Sequence, residues 1–269
     1  RQHLATVLSG HPAEGARSVR ARGLYGAGTL AYVQGDYPSA EAAYRESLEL
    51  ARSHDDAAGI ATALNGLGLA AHDQGRHEDA LTYLSESLEI RRTLPSKWDV
   101  AVSYINLGTV AYGRKDYAAA RAYHGESLAI CREIGHERGA AFALGNLGGV
   151  ASALGEHAEA TRLQCESLRI RAGQQDRLGV AVVLHNLGHV AAEAGEPERA
   201  ATLFGAESAM RRKLGSPIRP ADRAEYDRAV EKVRQALPAD RLEERWAAGE
   251  AMTQDEAVAF ALESSAVTV

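Results

Sequence analysis

His185 and His189 stand four residues apart, so on a helix they share one face at a spacing that suits a metal ion. Asn186, Leu187 and Gly188 lie between them, and no Glu is placed to act as the general base of a metal hydrolase. The only two cysteines, Cys131 and Cys165, have no Cys or His at ligand spacing and read as buried thiols. Glu46, Glu86, Glu126 and Glu166 recur at one fixed interval, as a solvated structural column does. There is no G-x-x-x-x-G-K loop, no G-x-S-x-G elbow and no H-E-x-x-H. The residue types therefore predict no catalysis, no metal and no cofactor, and leave binding as the task.

The elements that would carry a binding surface are written five times. At a period of 40 residues, Leu24, Leu64, Tyr104, Leu144 and Leu184 form one column, and Gly28, Gly68, Gly108, Gly148 and Gly188 the next. Ala31, Ala71, Ala111, Ala151 and Ala191 follow, then Ala40, Ala80, Ala120, Ala160 and Ala200, without an insertion. A repeat of this length signals stacked supersecondary units. Apolar residues at three-and-four spacing predict helices, paired as 16–34 with 37–53, 57–74 with 77–93, 98–114 with 117–134, 137–154 with 157–173, and 177–194 with 197–214. Gly35, Gly75, Lys115, Gly155 and Gly195 break each pair. Mid-helix glycine costs about 1 kcal/mol relative to alanine, so a glycine in the same place in every unit implies close approach of the partner helix.

A large residue, Leu-Gly, a small residue three on, Gly-Asp/Glu-Tyr and a later Ala resembles the tetratricopeptide pattern, most clearly in YINLGTVAYGRKDYAAARAYHGESLAI. The longer unit resembles the variant of kinesin light chains and LGN-type scaffolds. The resemblance spans 16–214; the usual first Trp is Leu or Tyr here, and the last unit carries Glu207 and Ser208 in place of Ser and Leu. It implies an all-α, right-handed α-solenoid of antiparallel helix pairs. Residues 1–15 read as the tail of a preceding helix and a linker, and 215–269 as a C-terminal helical cap. In that cap, 220–237 reads as one amphipathic helix, and two short helices flank Gly249, with Thr253 and Glu256 as a capping box. Trp246, Gly249, Met252-Thr253 and Glu256-Ala257-Val258 resemble the tail of large actinobacterial regulators that join a nucleotide-hydrolysing switch to a tetratricopeptide array. The opening in mid-pattern at Arg1 fits a segment of a longer polypeptide.

Composition narrows the partners. With 36 acidic against 30 basic residues the formal charge is −6, which argues against a nucleic-acid surface. No apolar run reaches a membrane span and no signal peptide opens the chain, so a cytoplasmic location is expected.

The resemblance implies that the first helix of each pair lines a concave groove, and the positions that vary there are the informative ones. Tyr25, Asn65, Ile105, Gly145 and His185 form one such column; Thr29, Leu69, Thr109, Gly149 and His189 a second; Tyr32, His72, Tyr112, Ser152 and Ala192 a third. Asn106, Asn146 and Asn186 recur although Asn is a poor helix former. They either bond between neighbouring units or hold the backbone of an extended ligand. Tetratricopeptide domains that grip a chaperone's C-terminal carboxylate carry Lys and Arg in the first and third columns; neither occurs here, which excludes that mode. Gly145, Gly149 and Ser152 beside Phe142 predict a shallow pocket in the fourth unit. The expected occupant of the groove is a protein or peptide, or another domain of the parent protein. The alternative is a small molecule sensed around Phe142, Gly145, Gly149, His185 and His189. A third reading is self-association through the exposed ends of the array.

Overall fold

Short polar turns and left-handed residues punctuate the chain before any packing is considered. In a computed structural model describing residues 14–218 and 220–263, the turn residues Gly35, Gly75, Gly155 and Gly195 have φ of 79, 75, 76 and 81°. Lys115 holds the same register position at φ 62° without glycine's freedom. In two of the five pairs the following residue, Asp36 or Asp116, caps the next helix, whereas Arg76, Glu156 and Glu196 make no such bond. Asp36 accepts from the Ser39 amide at 3.1 Å, and between pairs Asp56 and Asp176 accept from Gly59 and Gly179, each at 2.9 Å. Each such cap stabilises a helix start by about 1 kcal/mol.

Thirteen helices result among the described residues. In one compact unit, ending at Ile130, α1 (Glu14–Val33) pairs with α2 (Tyr37–Arg52), and α3 (Ala57–Asp73) with α4 (His77–Arg92). It continues through α5 (Lys97–Gly113) into α6 (Tyr117–Glu133), inside which the unit ends. The second unit, from Cys131, pairs α7 (Glu137–Ala153) with α8 (His157–Gly173) and α9 (Arg177–Glu193) with α10 (Pro197–Leu214). Three further helices, α11 (Pro220–Ala236), α12 (Ala239–Ala251) and α13 (Gln254–Glu263), pack on α8 to α10. The fold is all-α, of the helical-solenoid type. Of the expected tail and linker at 1–15, residues 1–13 lie outside the described residues.

The glycine column is where paired helices touch. A Cβ on Gly28, Gly68, Gly108, Gly148 or Gly188 would lie 2.5–2.7 Å from Tyr44, Leu84, His124, Gln164 or Phe204, the residue 16 positions on. Those five side chains are all buried and occupy the space that each glycine vacates. One turn further along the second helix, Ser47, Ser87 and Ser167 donate to the carbonyls of Ala21, Ala61 and Ala141 at 2.7–2.9 Å. Leu48, Leu88, Leu128 and Leu168 are buried beside them.

The cap departs from expectation in one detail. Gly249 does not separate two helices: it is buried inside α12, where a side chain would strike the Thr202 carbonyl, and Gly205 of α10 is equally close to the Trp246 backbone. The chain breaks three residues later, where Met252 is extended. Thr253 and Glu256 then close the capping box, the Thr253 amide donating at 2.7 Å and the Glu256 amide at 3.3 Å.

Candidate functional site

In the first unit the third variable column gains a partner five residues on, across each turn. Tyr32 and Tyr37 have ring centroids 5.9 Å apart, His72 and His77 5.2 Å, and Tyr112 and Tyr117 5.5 Å. One aromatic pair per helical hairpin therefore sits at the turn end of each first helix. Five of these rings are half-buried and Tyr112 is 39% exposed. Tyr32 also bonds Asp73; burial, then that bond and charge, push its phenol up and keep it neutral. Burial lowers the His72 pKa, with His77 acting in the same direction and Asp73 against it. The ring nitrogens Nδ1 of His72 and His77 are 3.3 Å apart, a contact that holds only if at least one ring is neutral.

Deeper on the same helices the polar residues turn inward. Asn106 Nδ2 donates to Asn65 Oδ1 at 2.8 Å, and Asn65 is only 6% exposed. Ile105 is buried as well, and the half-buried Tyr25 ring lies 5.3 Å from that of Tyr44. The structure thus puts Asn65 in the packing between units, bonded to the asparagine of its neighbour.

In the second unit Phe142 of α7 is 47% exposed, and Gly149 has open space where a side chain would project. Asn146 is half-buried. Asn186 donates to Gln164 at 3.5 Å, and Gln164 donates to the Gly145 carbonyl at 2.9 Å, so this asparagine too serves contacts between helices. Cavities of about 450 and 580 Å³ occur in the molecule, and neither is lined by Gly145, Gly149 or Ser152.

His185 is engaged by the cap. Its ring stacks on Tyr226 of α11 at 5.5 Å and 16°, meets Phe204 edge-on at 6.1 Å, and lies 3.8 Å from Glu207. Glu207 is fully buried and pairs with Arg211. Burial raises its pKa and the Arg211 bond opposes that rise. Tyr226 is pushed up to about 12 by burial, helped by the Glu207 charge. His189, one turn on, is half-buried, and among the described residues no three His, Cys, Asp or Glu side chains gather as metal ligands would. Sequence reasoning missed Tyr37, His77 and Tyr117, although the same 40-residue register places them. It noted Glu207 only as a departure from Ser, and nothing in the pattern pointed to Tyr226.

The tetratricopeptide repeat model matches residues 19–93 and 99–173, more than half of the chain, and a second tetratricopeptide model matches 181–206. The chain belongs to the tetratricopeptide repeat family. No curated protein sequence matches it. Among solved structures, this tetratricopeptide array is similar to BtubC (BKLC) from P. vanneervenii, with TM-score 0.65 and 22% identity over 81% of this chain and 91% of that one. It is also similar to the kinesin-light-chain TPR-like repeats of Podosopora anserina (TM-score 0.61, 15% identity, 74% and 97% covered). A third is a Rap protein complexed with competence and sporulation factor (TM-score 0.60, 17% identity, 85% and 66% covered). At these identities the likeness is one of fold. No described helix is long and apolar enough to cross a membrane.

Proposed function

We propose that this tetratricopeptide array is a non-enzymatic binding segment that takes up a protein or peptide along the variable faces of its first helices. The observation that carries this reading is the row of aromatic pairs Tyr32–Tyr37, His72–His77 and Tyr112–Tyr117, one in each of the first three hairpins and in the same register. Half-exposed rings with phenol and imidazole groups at a regular interval suit an extended chain, which offers side chains at its own regular interval. Tyr25 adds to this surface in the first unit, where Asn65 and Asn106 position the helices that bear it. In the second unit the exposed Phe142, with Asn146 and His189, offers a variable face of its own, whereas His185 is covered by Tyr226. The Rap structure, in its complex with competence and sporulation factor, supports such a use of the fold. On this reading the chain is the sensor or scaffold part of a larger cytoplasmic signalling or transcriptional regulator and contacts neither DNA nor membrane.

The test is affinity capture from lysate of a cell making the parent protein, with the native chain and a His72→Ala, Tyr112→Ala double variant as baits. A protein retained by the native chain and lost by the variant is the expected result. Equal retention by both would refute the aromatic row as the recognition surface. Retention of no protein, together with thermal stabilisation by a metabolite, would replace it with small-molecule sensing.

A further inference from the structure

A second site arises where one packing column carries the wrong residue. Leu64, Leu144 and Leu184 are at most 1% exposed, whereas their counterpart Tyr104 is only half-buried. A phenol is longer than the leucine space, so the ring emerges beside the second helices, its centroid 6.2 Å from that of Tyr123 on α6.

There it disturbs a regular set of ion pairs. Second helices carry Arg52, Arg92 and Arg132 in one column and Glu86, Glu126 and Glu166 in another, 34 positions on. Arg52 pairs with Glu86 at 3.0 Å and Arg132 with Glu166 at 2.5 Å. The rung between them is missing. Arg92 instead donates to the Tyr104 phenol at 2.6 Å and to Glu89 at 2.5 Å. Glu126 has no ion-pair partner among the described residues. Around it a cavity of about 450 Å³ opens between α4, α5 and α6, lined by Tyr104, Tyr123, Arg92, Glu89, Glu126 and Ser85 among others. The cavity is an open groove rather than an enclosed pocket, and no residue of the variable columns contributes to it.

We propose that this cavity binds a guanidinium or alkylammonium group, with Glu126 as its counter-ion. Two carboxylates against one guanidinium leave the lining net negative, which disfavours an anion. Arg92 already lies over the Tyr104 ring, 5.7 Å from its centroid, so the Tyr123 ring supplies the face that attracts an incoming cation, and that cation would complete the rung that Arg92 left. The group could belong to a free amine or to a basic side chain of a peptide, and the test separates these sources. The site shares no residue with the aromatic row, so either reading can fail alone.

The experiment is a chemical-shift titration of the full chain with methylguanidine, acetyl-Gly-Arg-Gly-amide and, as the anionic control, methyl phosphate. Saturable shifts of the Tyr104 and Tyr123 rings with both cations, weakened by added salt, are expected. Glu126→Gln should weaken binding about fivefold, the scale of one exposed ion pair. Tyr104→Leu restores the residue of the other four units, frees Arg92 for Glu126 and should weaken binding about three- to thirtyfold, since it removes a ring and fills the rung. Its melting curve, at or above that of the native chain, establishes that it folds. Tighter binding of the tripeptide than of methylguanidine identifies a peptide source, and equal binding a free amine; both support the cation site. Absence of saturable cation binding, undiminished binding by Tyr104→Leu, or a preference for methyl phosphate would overturn it.

Discussion

His124 allows the packing argument to be tested as a function of pH. It faces Gly108 in the column that elsewhere holds Tyr44, Leu84, Gln164 and Phe204, and it is 2% exposed. Its Nδ1 is buried with no hydrogen-bond partner among the described residues. Burial alone lowers the imidazole pKa to about 4, against about 6.5 in an unfolded chain. The folded state therefore holds the ring neutral where the unfolded state already binds a proton. Stability is unaffected above about pH 7, falls as pH drops through 6.5, and stops falling below about 4. Between pH 7 and pH 5 the linkage relation gives a loss of about 2 kcal/mol from this one side chain.

Replacing His124 by Leu, the residue at position 84 of the same column, removes both the unpaired nitrogen and the titration. At pH 7 the variant should gain about 1 kcal/mol, the lower end of the cost of an unsatisfied buried polar group. At pH 5 the gain should grow by about 2 kcal/mol. Urea denaturation of both chains at the two pH values, followed by helical circular dichroism, reads this difference directly; subtraction cancels every other titrating group. Gln164→Leu is the control. It removes a buried polar side chain from the same column that does not titrate, so its effect must be the same at both pH values. An equal gain for His124→Leu at pH 7 and pH 5 would refute the buried neutral imidazole.

Four further substitutions follow from the same packing. Gly188→Ala should cost about 1–3 kcal/mol, because its Cβ would lie 2.7 Å from the Phe204 ring. Gly149→Ala, with nothing within 4 Å, should instead gain up to about 1 kcal/mol from helix propensity; the same sign for both in thermal melts would contradict the close-approach account. Lys115→Gly removes a left-handed non-glycine residue at φ 62° and should raise stability by at most about 1 kcal/mol, since relief of strain exceeds the added chain entropy. Glu207→Ala leaves Arg211 without its buried partner and should cost about 3 kcal/mol; a denaturation midpoint unchanged from the native chain would show that the pair contributes nothing.

The repeat made the fold legible because it supplies its own controls. Positions that hold Gly, Ala or Leu in every unit must satisfy one geometry, and the helix ends follow within a residue or two from Gly35, Gly75 and their counterparts. The functional surface is less legible, because packing columns vary among units as binding columns do. Tyr104 and Glu207 depart from their columns, His124 and Gln164 sit in a column that differs in every unit, and each has consequences inside the structure: a displaced arginine, a buried ion pair, an unpaired nitrogen, a bond to Gly145. Asn65 varies within its column, yet it is tied to Asn106 in the packing. Tyr37, His77 and Tyr117 lie on second helices, so reading first helices alone could not pair them with Tyr32, His72 and Tyr112. The register puts His185 on a free face, whereas Tyr226 stacks on it from α11, beyond the reach of any 40-residue register. Register tells which residues share a structural position, but a substituted residue acts on whatever lies next to it. Tyr104 illustrates the consequence: one oversized residue in a packing column redirects Arg92 and leaves Glu126 facing an open groove, so that a departure from the fold's own rule carries the proposed cation site.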